Sequence, residues 1–511
     1  MSDNTRRLQV GPFNRVEGDL DIRLDIATDT SDASGKGNGK GTGTVNSARV
    51  NSTLFRGFEQ MLVGKPAMDA LVYTPRICGI CSVAQSVACA NALANAGGVQ
   101  PTANGIRSQN LLLANESLTD LLTHFYLFFM PDMARPVYQQ QSWYEPVAER
   151  FQAIKGNATK QVLPARAQFL HLMGLMAGHW PHSMAIQPGG SSKAVTRQER
   201  LRVISILAEF RRFLETTLFG ADLDAINELD SVSALTNWAA QDSWQSSDLR
   251  TFLHLSDQLT FSQLGRATDK LMSMGNYPQP DLAGSSLSLQ VSRGLWLPTA
   301  GLQPLNTDAI KEDVSHSWVE DGSGAEHPAQ GHTEVSLASS EKPHAYSWCK
   351  APRLNGEVVE TGALARAVVS QRPLMTELMQ QQGATVHTRM LARLLELAWM
   401  LPQMQQWAKD LQVDQPYCNN TALAKEGEGA AMMEAARGSL GHWIRLKNGR
   451  ISHYQIVAPT TWNFSPRDEQ GQPGPLEQAL EGAPVMAAEK DPIAVQHIVR
   501  SFDPCMVCTV H

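Results

Sequence analysis

Three features of the sequence predict a mainly α-helical fold with small β elements, in which a bundle of long helices brings both termini to a buried metal site. First, several long stretches carry apolar residues at three- and four-residue spacing, the signature of amphipathic helices. Second, two cysteine pairs, Cys78-Gly79-Ile80-Cys81 and Cys505-Met506-Val507-Cys508, stand near opposite ends of the chain. Together they offer four thiolates, enough to close a soft-metal site. Third, 42% of the 511 residues are hydrophobic, which supplies a large core. Length alone allows several domains. A site drawn from both ends argues instead for one intertwined domain over residues 1–511.

The elements follow in order. Asp19 to Ile26 alternates Leu20, Ile22, Leu24 and Ile26 with polar residues and predicts a strand. Ser31 to Thr44 is rich in Gly, Ser and Asp and reads as an exposed hairpin loop, with Val45 to Val50 returning as the paired strand. The Ala-rich run Ser82 to Ala96 predicts a helix starting at the second cysteine of the first pair. Long helices are expected over Ile106–Met130, Gln161–Met176, Thr196–Phe219, Glu360–Gln381 and Thr388–Leu411. Gly275 to Pro352 is rich in Gly, Pro, Ser, His and Trp and predicts irregular structure with short strands. His442–Leu446 and Tyr454–Val457, joined across Asn448-Gly449, predict a late β-hairpin. No internal repeat is visible.

Charge and cysteine usage exclude several classes. Lys plus Arg total 43 against 50 Asp plus Glu, a formal charge of −7. That balance gives no support to a nucleic-acid partner or a polybasic membrane surface. Seven cysteines, an odd number in a long chain, do not make a disulfide framework and read as intracellular, cytoplasmic metal chemistry. Met1 to Arg7 lacks a following apolar run, so no secretory signal is expected. The most apolar stretch, Leu111 to Met133, is broken by Asn115, Glu116, Asp120 and His124. It reads as a buried helix, not a membrane span.

Thiolates suit nickel, zinc, copper(I) and iron. A structural zinc site is the plain alternative, but zinc pairs usually lie close together in sequence. A thiol–disulfide centre needs only one pair and leaves the other unexplained. The remaining cysteines, Cys89, Cys349 and Cys418, read as small buried hydrophobes.

The residues around the pairs are distinctive. Arg76-Ile77-Cys78-Gly79-Ile80-Cys81 and Asp503-Pro504-Cys505-Met506-Val507-Cys508-Thr509-Val510-His511 resemble motifs of nickel–iron hydrogenase large subunits. So do, in order, Arg15-Val16-Glu17-Gly18, Thr53-Leu54-Phe55-Arg56-Gly57-Phe58-Glu59, Ser347-Trp348-Cys349-Lys350-Ala351-Pro352-Arg353, Ala436-Arg437-Gly438 and Ala458-Pro459-Thr460-Thr461-Trp462-Asn463. The resemblance implies that Cys78, Cys81, Cys505 and Cys508 bind nickel, with Cys81 and Cys508 bridging to an iron that carries CO and CN. It implies heterolytic cleavage of H2, with a proton passing to a nearby base.

The same resemblance assigns further roles. Glu17 is the first proton carrier beside Cys505; a relay carboxyl needs a raised pKa, which partial burial supplies. Arg437 overhangs the open side of the metals, with Asp132 and Asp503 expected to orient its guanidinium. Thr460 faces a cyanide, and Pro459 helps keep water from the diatomic ligands. Glu59 and His511 hold a Mg2+ or similar ion. With four of seven cysteines committed, the remaining three are too scattered for an iron–sulfur relay. A small subunit carrying the clusters is therefore implied as partner.

Three departures resemble the regulatory, H2-sensing branch. Gln85 stands where most of the family has His, and it can donate a hydrogen bond but cannot titrate. The sequence ends at His511, whereas catalytic relatives are made with an extra C-terminal peptide. Ile80 and Phe128 replace smaller residues along the gas passage and narrow it. For that branch the resemblance implies low turnover, activity in oxygen, a pair of heterodimers and a histidine kinase. The alternatives are an energy-conserving uptake hydrogenase with the same site, a structural zinc protein, or a metal-free relative of respiratory complex I.

Overall fold

The computed structural model describes residues 5–28, 42–280, 287–320, 324–335, 342–486 and 489–511. The expected loop Ser31–Thr44 lies, over residues 31–41, outside the described residues. About 45% of the chain is helical and 21% is strand, so the β share exceeds the small elements expected.

Alternation builds the first sheet. Leu20, Ile22, Leu24 and Ile26 are all buried on one face of the strand Leu20–Thr28. That strand pairs antiparallel with Thr5–Val10 on one side and Thr42–Ser52 on the other. The fourth strand, Pro484–Met486, comes from near the other end of the sequence. This sheet therefore joins the first and last parts of the chain before the cysteines are considered.

The helices Ala103–Thr123, Ala158–Ala177, Arg197–Phe213 and Val386–Asp410 pack on one another: the first lies against the second and fourth, and the third against the same two. Ala103–Thr123 and Arg197–Phe213 each run on into a π-helical turn, His124–Phe129 and Leu214–Phe219. Thr196 starts its helix with a reciprocal capping box to Glu199. Among the described residues, no helix is long and apolar enough to cross a membrane.

Two expectations need correction. The helix expected over Glu360–Gln381 is two helices, Ala363–Val369 and Pro373–Gln382. Pro373 has no N–H and forces Arg372 into extended backbone, while Gln371 turns left-handed at φ 55°. The region read as irregular contains the hairpin Leu271–Pro280 and Leu287–Leu297, strands of 10 and 11 residues. The late hairpin forms as expected in position, with Asn448 and Gly449 both at positive φ. It gains a third strand, Gly427–Ala435, which pairs with Gly438–Lys447.

Candidate metal centre

Local structure presents each cysteine pair at a helix start. Cys78 follows the short 3-10 turn Thr74–Ile77, and Cys81 immediately precedes the helix Ser82–Gly97. Cys505 precedes the one-turn helix Met506–Thr509. Two N-terminal motifs then tie the pairs together. Glu17 forms a parallel bridge with Cys505, and the Met506 amide donates to the Glu17 carbonyl at 2.7 Å. The Arg56 guanidinium donates to the Ile77 and Val507 carbonyls, one beside each pair.

The four sulfurs of Cys78, Cys81, Cys505 and Cys508 lie within 4.8 Å of one another. Cys78 and Cys505 are 3.5 Å apart, Cys81 and Cys508 2.9 Å, and all are free thiols. Two unit charges 4 Å apart repel by about 4 kcal/mol at an effective dielectric of about 20. Four thiolates this close therefore require a multivalent cation. Hydrogen bonds from the neighbouring cysteines, Cys505 first, hold the Cys78 pKa well down. Hydrogen bonding to Cys505 and the other sulfurs, then burial, pushes Cys81 well up; burial, then the neighbouring sulfurs, does the same to Cys508. The donor set and its crowding fit a soft, multivalent centre.

Arg437 lies beside this cluster. Its Nη2 is 2.9 Å from Asp120 Oδ1 and 3.1 Å from Asp503 Oδ1, and its Nε donates to the Asp503 carbonyl at 3.1 Å. Both carboxylates are buried. Asp503 has φ 57°, a left-handed conformation that costs a residue with a side chain roughly 1–2 kcal/mol. The double grip of Arg437 on its side chain and carbonyl offsets that cost. Arg437 Nη1 is buried with no hydrogen-bond partner among the described residues. An orphan donor beside four sulfurs is the feature a group bound there would satisfy.

The expectation that Asp132 orients Arg437 is not met. Asp132 pairs with Arg15 and Arg500 instead, and His497 and Arg135 lie 3.9 Å from its carboxylate. Asp120, within the helix proper, takes the place assigned to Asp132. The latter sits beyond the π-helical turn, in the 3-10 turn Met130–Asp132.

The other expected residues fall as follows. Glu17 is half-buried, and its carboxyl pKa is raised by burial and then by Cys78, with Arg437 opposing. The Thr460 hydroxyl oxygen accepts from the Cys505 amide at 3.2 Å, and Pro459 starts the buried helix Pro459–Asn463. Gln85 sits one helical turn after Cys81, buried, and its Oε1 accepts from His442 Nε2 at 2.8 Å. Tyr454 O–H donates to His442 Nδ1 at 2.7 Å. Burial drives the His442 pKa down to about 3, which keeps the ring neutral in that tautomer. Ile80 is partly buried in the Cys78–Cys81 loop, and Phe128 lies on the π-helical turn with its ring edge-on to His124.

Glu59 and His511 meet in a small cavity of about 20 Å³, also lined by Glu312, Thr333, Lys350 and Ile456. His511 Nε2 is 3.5 Å from Glu59 Oε1 and 2.7 Å from the Ile456 carbonyl. Burial opposes ionisation of Glu59, but Lys350 and hydrogen bonds from His511 and Thr333 outweigh it and hold its pKa down to about 2. A carboxylate, a carbonyl and an imidazole thus converge, a set with the oxygen character a magnesium-like ion prefers. Cys89 and Cys349 are buried and Cys418 partly so.

Two further residues hold the site. Asp120 is one. The other is Glu116, one turn earlier on the same helix. Its Oε2 accepts from Ser82 Oγ at 3.2 Å, Val83 N at 2.8 Å and Trp180 Nε1 at 2.9 Å, and its Oε1 from Ala84 N at 2.9 Å. It caps, from across the core, the helix that begins after Cys81. The signal was present: both carboxylates interrupt the most apolar stretch of the chain, and a buried charge needs a partner.

Several known proteins resemble this chain along nearly its whole length. The family model described as "Nickel-dependent hydrogenase" matches residues 56–150 and 159–511. The periplasmic NiFeSe hydrogenase large subunit of Desulfomicrobium baculatum is 27% identical, over 100% of this chain and 96% of the relative. The Hydrogenase-2 large chain of Escherichia coli is 25% identical, over 99% and 97%. The uptake hydrogenase large subunit of Cupriavidus necator is 25% identical, over 100% and 96%. Among solved structures, the reduced Ni-Fe-Se hydrogenase of D. vulgaris Hildenborough superposes with a TM-score of 0.81 at 25% identity, covering 99% of this chain and 100% of that one.

Proposed function

The chain belongs to the nickel-dependent hydrogenase family, and within it we propose that this is the large subunit of a regulatory, H2-sensing enzyme. The four convergent cysteine sulfurs under Arg437 carry the hydrogenase part of the reading. Cys78, Cys81, Cys505 and Cys508 would hold a nickel–iron centre with CO and CN on iron, which would supply Lewis acidity for H2 cleavage. Glu59, His511 and the Ile456 carbonyl would hold a magnesium-like ion.

The protein's own groups do the rest. Glu17 accepts the released proton: burial raises its pKa, and its backbone is fixed against Cys505. Arg437, always charged, stabilises developing negative charge over the sulfurs, while Asp120 and Asp503 fix its orientation. Thr460 fixes the Cys505 amide by accepting from it, so its own O–H can still donate to a bound group. Pro459, in the same buried helix start, helps exclude water.

Support for sensing comes from Gln85, Ile80 and Phe128. Gln85 holds its place by a hydrogen bond with neutral His442, so no proton is exchanged there near neutral pH. Bulky Ile80 and Phe128 narrow gas access and favour activity in oxygen with low turnover. A small subunit carrying iron–sulfur clusters takes the electrons; a second heterodimer and a histidine kinase read the result, in the cytoplasm. Uptake is the second reading, because the relatives named above include uptake and Hydrogenase-2 chains and none with a sensing name.

Metal analysis and infrared spectra of the purified heterodimer test the site: nickel and iron, with CO and CN bands, are expected. Stoichiometric zinc without nickel would sink it. Glu17→Gln is expected to stop H2/D2 exchange and leave the infrared bands intact. Fast H2 oxidation together with lost growth on H2 after deletion would favour uptake over sensing.

A further inference from the structure

Arg437 sits at the turn between two paired strands: Ala435 is opposite Gly438, so Ala436 and Arg437 form the connection. A side chain placed at a two-residue turn is only as rigid as that turn. Something outside the hairpin holds it.

Arg366, on the helix Ala363–Val369, is 1% exposed and uses every N–H of its guanidinium. Nη1 donates to the Ala435 carbonyl at 2.8 Å and Nη2 to the Ala436 carbonyl at 2.8 Å. Nε and Nη2 hold the Glu396 carboxylate, at 3.0 Å and 2.9 Å, and Nη1 reaches Glu434 Oε2 at 3.2 Å. Glu434 is itself fixed: its Oε1 accepts from the Met274 amide at 2.8 Å and from Ser439 Oγ at 2.6 Å. Residues on both sides of the turn are therefore tied into one buried ionic cluster. Backbone packing closes the remaining side. A Cβ on Gly438 would lie 2.4 Å from Thr361 Oγ1 and 2.8 Å from the Gly362 amide, so the two segments touch main chain to main chain.

We infer that Arg366 is a positioning residue: it sets where the Arg437 guanidinium stands over the cysteine cluster by clamping the two carbonyls that precede it. The inference rests on the hydrogenase reading, in which Arg437 acts on the reacting atoms. The geometry is specific to a guanidinium. Lysine offers three donors from one point and cannot reach two carbonyls and two carboxylates in a plane. Among the described residues, the Arg366 guanidinium bonds to none of the four cysteines, so its effect must pass through the hairpin.

The test is a double-mutant cycle on the purified heterodimer with Arg366→Lys, Arg437→Lys and both together. Nickel and iron content, CO and CN infrared bands, and H2/D2 exchange are read for each. Arg366→Lys is expected to keep the metals, displace the CN bands and slow exchange by about 10- to 100-fold, the scale of a displacement near 1 Å. In the Arg437→Lys background it should change exchange by less than about twofold, because the two act as one unit. Unaltered exchange and bands in Arg366→Lys would overturn the inference. So would an equal loss in both backgrounds, which marks independent action. If Arg366→Lys fails to retain metals, Glu396→Gln takes its place in the cycle, since it loosens the clamp and leaves Arg366 present. The same non-additivity is then expected, and additivity overturns the inference. A parent heterodimer with no H2/D2 exchange would instead overturn the hydrogenase reading beneath it.

Discussion

Glu116 gives a stability prediction whose size follows from counting donors. Its buried carboxylate accepts from Ser82 Oγ, Val83 N and Trp180 Nε1 on one oxygen and from Ala84 N on the other. Glu116→Gln keeps one acceptor oxygen. With that oxygen facing the three donors, the new NH2 opposes the Ala84 amide, leaving that N–H and its own two N–H groups without acceptors. Each orphaned buried donor costs about 1–3 kcal/mol, so even the low end gives about 3 kcal/mol for these three. Glu116→Ala orphans four, so even the low end of the same range gives about 4 kcal/mol. At ~2.1 cal/mol/K per residue, a chain of 511 residues shifts its melting midpoint by about 1 °C per kcal/mol. Calorimetry of the metal-loaded heterodimer at one scan rate should show a drop of at least about 3 °C for Gln and at least about 4 °C for Ala. Nickel content should fall in Glu116→Ala, because the turn that presents Cys81 loses its cap. An Ala variant no less stable than the Gln variant would refute the donor count and the capping role with it.

Asp132 and Asp120 should separate stability from chemistry. Asp132→Asn leaves Arg15 and Arg500 without their buried anion and should cost about 3–5 kcal/mol while sparing H2/D2 exchange in the folded protein. Asp120→Asn should slow exchange at least tenfold with metals retained, because it frees Arg437; the reverse pattern in exchange assays would return Asp132 to the site. Glu477 sets a pH dependence. Burial pushes its carboxyl up to about 7, and its Oε2 has no hydrogen-bond partner among the described residues. A folded pKa above the unfolded one favours folding in acid, and that contribution fades as pH rises from about 4.5 to about 7, by up to about 3 kcal/mol. The melting midpoint of Glu477→Gln, measured against pH, should lack that decline; parallel curves for variant and parent would exclude it. Ile80→Val with Phe128→Leu removes apolar volume and should speed inactivation under air while H2 cleavage survives; equal inactivation rates would reduce both to packing.

The sequence by itself determined whatever is carried by neighbours along the chain. Period-two alternation specified the strand through Leu20 and Ile26, because only one face of a strand is buried. The Cys-x-x-Cys spacing specified two ligand pairs, and Asn448-Gly449 a tight turn. What lies across space was decided by the fold. Asp120 and Asp132 are both acidic, buried and on one continuous helical run, yet a dozen residues at 1.5 Å rise separate them by about 18 Å. Only the packed helix and its π-helical turn determine that Asp120 meets Arg437 and Asp132 meets Arg500. Gln85 finding His442, Arg56 joining both cysteine pairs, and Arg366 clamping the turn before Arg437 are of the same kind. Each is a long-range hydrogen bond, imposed because a buried donor left without an acceptor is costly, and which acceptor it meets depends on how the helices and sheets pack.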